Sequence, residues 1–166
     1  ESTRIQLRPR PDGQQVWLDG EDVTSQLRSQ EVNQFVSQIA RIEEVRTKLV
    51  NQQKKLSEQK GVVMDGRDIG SHVLPDAEVK IYLTASTEER AKRRFLEMKS
   101  QDPNIPIELA ELQKDIEARD EMDRTRKISP LIIAEDATVV DTSHLSIQEV
   151  VEQLLLICRK RIMAGD

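Results

Sequence analysis

Gly61-Val62-Val63-Met64-Asp65-Gly66-Arg67-Asp68-Ile69-Gly70 is the stretch on which the reading of this chain turns. A short apolar run stops abruptly at a cluster of charge set between glycines. The run predicts a strand over residues 62–64, buried on both faces and bounded by turn formers. In open α/β sheets, ligands bind just beyond the carboxyl ends of such strands. Arg67 adds a fixed cation with forked donors, suited to a phosphate or a planar polar ring. The plainer alternative is a turn closed by an internal Arg–Asp pair. Glycines on both sides favour the ligand reading, because they let a ligand approach the backbone closely.

Downstream, Val79-Lys80-Ile81-Tyr82-Leu83 predicts a second apolar strand, followed at once by the capping box Ser86-Thr87-Glu88-Glu89 and a helix. Gln101-Asp102-Pro103-Asn104-Ile105-Pro106 breaks that helix, and another is expected over 108–124. A third strand over 137–140 precedes a second capping box, Ser146-Ile147-Gln148-Glu149. The last helix is expected to turn Ile147, Val150, Val151, Leu154, Leu155 and Cys158 inward. Upstream, residues 4–8 and 15–18 alternate apolar and polar side chains around Pro9-Arg10-Pro11-Asp12-Gly13. They predict a β-hairpin with a longer turn and one wet face, with a short third strand starting at Val23. Ser29 caps a helix over about 30–41, and a second helical pattern covers roughly 42–58. Strands alternating with helices give an α/β fold, a parallel sheet covered by helices, with the hairpin as a small antiparallel β appendage.

At 166 residues the chain is long enough for one domain with its own core. Its 37% hydrophobic against 33% charged residues is polar but well inside the folded class. The aromatics, Trp17, Phe35, Tyr82 and Phe95, are too few and scattered to form a base-stacking platform. With a net charge of −5, binding to a nucleic acid is not expected; arginine clusters in an acidic chain favour a focused pocket for a small anion. Cys158 stands alone, and His72 and His144 lack ligand-type spacing, so no protein metal site is expected. No membrane span or signal peptide is visible, and a cytoplasmic setting is expected.

Three charged clusters could carry chemistry. Asp65, Arg67 and Asp68 form the first. The second is Glu89-Arg90-Ala91-Lys92-Arg93-Arg94, which reads either as a solvated helix face or as a basic lid closing over a polyphosphate. The third is Arg119, Asp123 and Arg126, at i, i+4 and i+7 and so expected on one helical face. Salt-bridge decoration is the alternative there, worth ~0.3–0.5 kcal/mol per pair.

In this order and spacing these residues resemble the bacterial cytidylate kinase family, P-loop kinases that phosphorylate CMP and dCMP. The resemblance covers essentially the whole chain. Leu18-Asp19-Gly20-Glu21-Asp22-Val23 looks like the family's hairpin segment; Asp65-Gly66-Arg67-Asp68-Ile69-Gly70, Pro75-Asp76-Ala77 and Lys80-Ile81-Tyr82-Leu83 form its signature. Arg119-Asp120, Asp123-Arg124, Arg126 and Ser129-Pro130-Leu131 complete it. The resemblance implies a P-loop-kinase-like parallel sheet flanked by helices. It divides the chain into a monophosphate-binding insert over 1–45 and the rest of the kinase core over 46–166, with a lid around 90–106.

It further implies that Ser37 and Arg46, with Asp68 and Arg126, read the cytosine ring. Arg119 and Asp123 would hold the sugar. Arg67 would stand near the substrate phosphate with Asp65 beside it, and Arg93 and Arg94 would cover the ATP phosphates. ATP is the implied phosphoryl donor and CMP or dCMP the acceptor. Mg²⁺ would be held by the nucleotide and by a phosphate-cradling loop.

Two departures stand out. Glu43 occupies a position where some relatives have proline, which bears only on how sharply two helices are separated. More seriously, G-x-x-x-x-G-K-[ST] occurs nowhere in the chain. In the family, the first strand and that loop precede the hairpin. The chain opens on Glu1, so it is expected to be the C-terminal part of such a kinase, inactive by itself. The first part would have been cut away or carried elsewhere, as a separate N-terminal half or in a fusion behind a pantoate-activating ligase. The rival expectation is a non-catalytic nucleotide-binding or assembly module that kept the later half of the fold.

Overall fold

The computed structural model describes residues 3–11, 13–58 and 61–163. The chain divides into two compact units, 1–42 and 43–166.

In the first unit, β1 (Ile5–Arg10), β2 (Gly13–Leu18) and β3 (Glu21–Asp22) form an antiparallel sheet in that order. The expected hairpin is present, but its strands reach further toward each other than alternation suggested. Pro9 lies inside β1, opposite Gln14, so the turn is shorter than expected; of its residues, Asp12 lies outside the described set. β1 is an edge strand, and an edge tolerates proline's missing N–H. Gly13, at φ 142°, supplies a backbone conformation that other residues rarely adopt. The third strand is Glu21–Asp22 rather than one starting at Val23. The helix α1 (Gln30–Ile39) follows, its Ser29 side chain accepting from the Val32 N–H at 3.2 Å.

In the second unit, β4 (Ile81–Thr84) and β5 (Thr138–Asp141) pair in parallel, Ile81 opposite Thr138 and Thr84 opposite Asp141. Their carboxyl ends therefore lie side by side. Ser86 caps α3 (Thr87–Gln101) directly after β4, accepting from the Glu89 N–H at 3.2 Å. The connection to α4 (Leu109–Thr125) contains Pro103 and Pro106, and the two helices pack together. Ser146 and Glu149 form a reciprocal capping box ahead of α5 (Ile147–Met163): Ser146 N–H donates to Glu149 at 2.8 Å and Glu149 N–H returns to Ser146 Oγ at 3.3 Å. α2 (Glu43–Ser57) opens this unit with Glu43 and Glu44 in its first turn and Lys54 and Lys55 in its last, each complementing the helix dipole.

Two expectations about packing fail. Residues 62–64 form no strand: Val62 is 44% exposed and Val63 fully so. A strand is defined by a hydrogen-bonded neighbour, and among the described residues none pairs with this run. In α5, Ile147, Val151 and Leu155 are exposed, while Val150, Leu154 and Cys158 are half-buried. A sheet of two strands offers less surface than the helix's apolar side can cover. Full burial among the described hydrophobic residues is confined to Val73, Ala91 and Val140. Charged side chains occupy much of the remaining interior. No helix among the described residues is long and apolar enough to cross a membrane.

Candidate functional site

Asp68 stands at the start of a one-turn π-helix, Ile69–Val73. Its main-chain carbonyl accepts from the N–H groups of His72 at 2.9 Å and Val73 at 3.2 Å. Single π-turns, mostly found as bulges within α-helices, are frequent at functional sites. Gly66 makes the turn possible sterically: a β-carbon there would lie 2.8 Å from Ile69 Cγ1.

The Asp68 carboxylate begins a chain of alternating charge. It pairs with Arg46 of α2 and, at 3.6 Å, with Arg126. Arg126 also reaches Asp123 of α4 at 3.6 Å, and Asp123 pairs with Arg67 at 2.5 Å. Arg46, Asp68, Asp123 and Arg126 are all buried. Arg119, one turn before Asp123 on α4, is close enough to feel both Arg67 and Asp123. Three guanidiniums (Arg46, Arg67, Arg126) thus pair with two carboxylates (Asp68, Asp123), and Arg119 stands beside them under the influence of Arg67, Asp123, Asp120 and Arg94.

Burial pushes the pKa values of Arg46, Arg119 and Arg126 down, each also lowered by a neighbouring arginine. Nε of Arg46 and Nε of Arg119 are buried without a hydrogen-bond acceptor. A buried donor left unmatched costs ~1–3 kcal/mol, more when charged. The cluster is therefore short of acceptors and of negative charge together. A ligand bringing phosphate oxygens and ring acceptors supplies both.

Arg126 reaches this cluster by a route that helical spacing does not describe. α4 ends at Thr125, and Arg126 has extended dihedrals, so it does not share a helical face with Arg119 and Asp123. Instead its Nε donates to the Ser129 carbonyl at 2.5 Å, and Leu131 N–H returns to the Asp123 carbonyl at 2.8 Å. Ser129 is buried with φ at 49°, a costly conformation for a residue with a side chain. The fold accepts that cost at the residue whose carbonyl orients Arg126. Ser129-Pro130 was visible in the sequence only as part of a motif; its positive φ left no compositional signal.

The other candidates lie elsewhere. Ser37 is buried on α1 in the first unit. Asp65 is exposed at the turn before Gly66. Arg93 donates to the Thr142 hydroxyl at 3.2 Å and to the Thr142 carbonyl, while Arg94 pairs with Glu97 at 2.8 Å. Arg90 crosses to Asp120 of α4 at 2.6 Å, and Lys92 pairs with Glu88 at 2.7 Å. Carboxylates one turn away or on the next helix therefore offset the repulsion among the cations of this basic run. Among the described residues no three His, Cys, Asp or Glu side chains stand together as a metal cage.

Comparison with known proteins agrees with this arrangement of motifs. The family described as Cytidylate kinase matches residues 1–160. A cytidylate kinase of Caldicellulosiruptor bescii is 51% identical over 154 residues, 93% of this chain and 67% of its own length. One from Anoxybacillus flavithermus is 48% identical over 96% of this chain and 70% of its own length. Another, from Lysinibacillus sphaericus, is 46% identical over 98% of this chain and 71% of its own length. The chain belongs to the cytidylate kinase family.

Proposed function

We propose that the Arg–Asp cluster of the second unit is the monophosphate-nucleotide site of a (d)CMP kinase, in which ATP and CMP or dCMP give ADP and CDP or dCDP. The observation that carries this is the buried arginine-rich network with donors to spare. Arg46 and Arg126 pair with Asp68, Arg126 and Arg67 pair with Asp123, and the Nε groups of Arg46 and Arg119 lack an acceptor. Such a setting suits a phosphate monoester, which carries ~1.5–2 negative charges at neutral pH. In this reading Arg67 and Arg119 take the phosphate and sugar end, with Asp123 accepting from a ribose hydroxyl. Asp68, Arg46 and Arg126 read the base, cytosine's amino group donating to Asp68 and its carbonyl and ring nitrogen accepting from guanidinium. The family resemblance assigns Ser37, on α1 of the first unit, a role in base recognition, and Asp65 lies two residues before Arg67.

Phosphoryl transfer needs positioning and charge neutralisation more than covalent chemistry. Arg67, Arg93 and Arg94 are assigned the neutralising role, the last two from α3 toward the ATP phosphates. Mg²⁺, in this reading, is held by the nucleotide and by the phosphate-cradling loop. The pair β4–β5 is read as part of a P-loop-kinase-like sheet. Its first strand and phosphate-cradling loop would then lie outside these residues, consistent with relatives of which this chain covers 67–71%. The division into an insert over 1–45 and a core over 46–166, with a lid around 90–106, belongs to the same reading.

The test is CMP-dependent ADP release by the full-length protein, with dCMP and UMP as competing acceptors. Saturable turnover with CMP and dCMP and poor turnover with UMP is expected. ADP release that ignores the acceptor would overturn the assignment.

A further inference from the structure

Ser71 and His72 lie in the π-turn beside Asp68, and neither has a role in the site as described. Ser71 Oγ stands 2.9 Å from His72 Nδ1 and 3.4 Å from the Asp68 carbonyl oxygen. The His72 main-chain N–H donates to that same carbonyl at 2.9 Å. Ser71 has one hydroxyl proton. Given to the carbonyl, it makes Nδ1–H the donor of the shorter bond and leaves Nε2 with a free lone pair.

We propose that Ser71 and His72 are a positioning pair for Asp68, in which the neutral imidazole donates through the serine hydroxyl to the Asp68 main chain and fixes the turn carrying the base-reading carboxylate. The inference rests on the reading of Asp68 as a cytosine contact.

The electrostatic surroundings select the neutral ring. Burial lowers the His72 pKa below its ordinary 6.5, and Arg126 and Arg46 lower it further. Arg126, from the segment after α4, and Arg46, on α2, are the charges that act on the ring, and both pair with Asp68. Proton uptake by the ring adds a cation beside two arginines whose shared counter-ion is Asp68. Repulsion then loosens both guanidiniums from the carboxylate they orient. The folded-state pKa is depressed, so the ring is neutral at and above 6.5 and gains its charge as pH falls through the lower folded value. The Nδ1–H donor persists in the cation, and the acid effect is the charge added beside Arg126 and Arg46.

The experiment compares the full-length wild type with His72→Asn and Ser71→Ala. An asparagine amide donates to Ser71 Oγ but cannot ionise. At about pH 7.5, His72→Asn is expected to keep KM for CMP within about twofold of wild type, whereas Ser71→Ala raises it about fivefold with kcat little changed. Toward pH ~5.5 the substrate phosphate, which titrates near pH ~6, changes KM in every variant. The readout is the additional rise, about threefold or more, present in wild type and absent in His72→Asn. An identical acid limb in the two proteins would overturn the proposal.

Nitrogen-15 chemical shifts of the His72 ring provide a readout independent of turnover. An Nδ1–H tautomer with a midpoint under 6.5 supports the pair, and an Nε2–H tautomer overturns it. A protein that turns over no CMP at all refutes the base-site reading instead, and the ring tautomer still decides the Ser71–His72 bond.

Discussion

Arg46 and Asp68 pair inside the second unit with side chains only 9% and 5% exposed, although one sits on α2 and the other at a turn beyond it. Asp68 is the partner of both Arg46 and Arg126, so Asp68→Ala strands Arg46 in a dry site, at a cost of about 3–5 kcal/mol, and should lower the urea midpoint by a corresponding amount. Arg46→Ala leaves Asp68 with Arg126 and should cost less. Replacing both by apolar residues, Arg46→Met with Asp68→Leu, should cost less than Asp68→Ala alone. Additive losses in that cycle would mean that the pair is not coupled in solution.

Arg119 and Asp123 share α4 but should separate stability from activity. Arg119 Nε has no acceptor, and the group sits near another cation, so Arg119→Ala removes an uncompensated donor. Its folding stability should fall by less than about 1 kcal/mol. Loss of a charged hydrogen bond to substrate, worth ~1.5–3 kcal/mol, should cut kcat/KM for CMP about tenfold to a hundredfold. Asp123→Ala should damage both, because Asp123 holds Arg67 and Arg126. Wild-type turnover in Arg119→Ala would remove that residue from the substrate.

The capping box of α5 makes an acid-side prediction. Glu149 accepts from the Ser146 N–H and hydroxyl, and these bonds hold its pKa below the ordinary 4.5. A depressed folded-state pKa stabilises the fold at pH values above 4.5, and the contribution disappears as pH falls through the folded value. Glu149→Gln keeps an acceptor but cannot ionise. Its thermal midpoint should therefore fall less than the wild type's as pH is lowered from about 5 to about 3. Parallel decline would leave Glu149 without a role in acid stability.

Local signals carried most of the element boundaries, because caps act within one turn. Ser29, Ser86 and Ser146 each mark a helix start that the structure contains. Burial was less legible. The run Val62-Val63-Met64 reads as a core strand from its side chains alone, but strand formation depends on a neighbour that periodicity does not reveal. The last helix fails in the same way: its apolar side is real, and the surface it meets is small. At the site, charge pattern and motif order pointed to Arg46, Asp68, Asp123 and Arg126, which the fold brings into one network. Helical spacing assigned Arg126 its place by the wrong route, since the helix stops before it and a strained Ser129 returns the chain. Ser71 and His72 carried no signal, because a serine–histidine dipeptide in a turn is compositionally ordinary.

Arg93 and Arg94 are adjacent on α3 but face different partners, which gives a way to divide structural from phosphate-directed roles. Arg93 bridges to the Thr142 hydroxyl and carbonyl just after β5, and Thr142 in turn donates to the Thr84 carbonyl at 3.0 Å. Arg93 thus ties the middle of α3 to both strand ends. Its side chain is 42% exposed, so solvent screening limits the bond's worth. Arg93→Ala should still lose about 1 kcal/mol in urea unfolding, along with any contribution to ATP binding. Arg94 pairs with the half-buried i,i+3 carboxylate of Glu97 and lies close enough to Arg119 to act on it. Arg94→Ala should leave stability within ~0.5 kcal/mol of wild type. If Arg94 neutralises transferred charge, kcat should fall about tenfold or more while KM for CMP stays put. Thr142→Val removes the hydroxyl but keeps the carbonyl that Arg93 uses, so it should reproduce only part of the Arg93→Ala stability loss. An Arg94→Ala enzyme with wild-type kcat at saturating ATP would confine α3's basic run to structure.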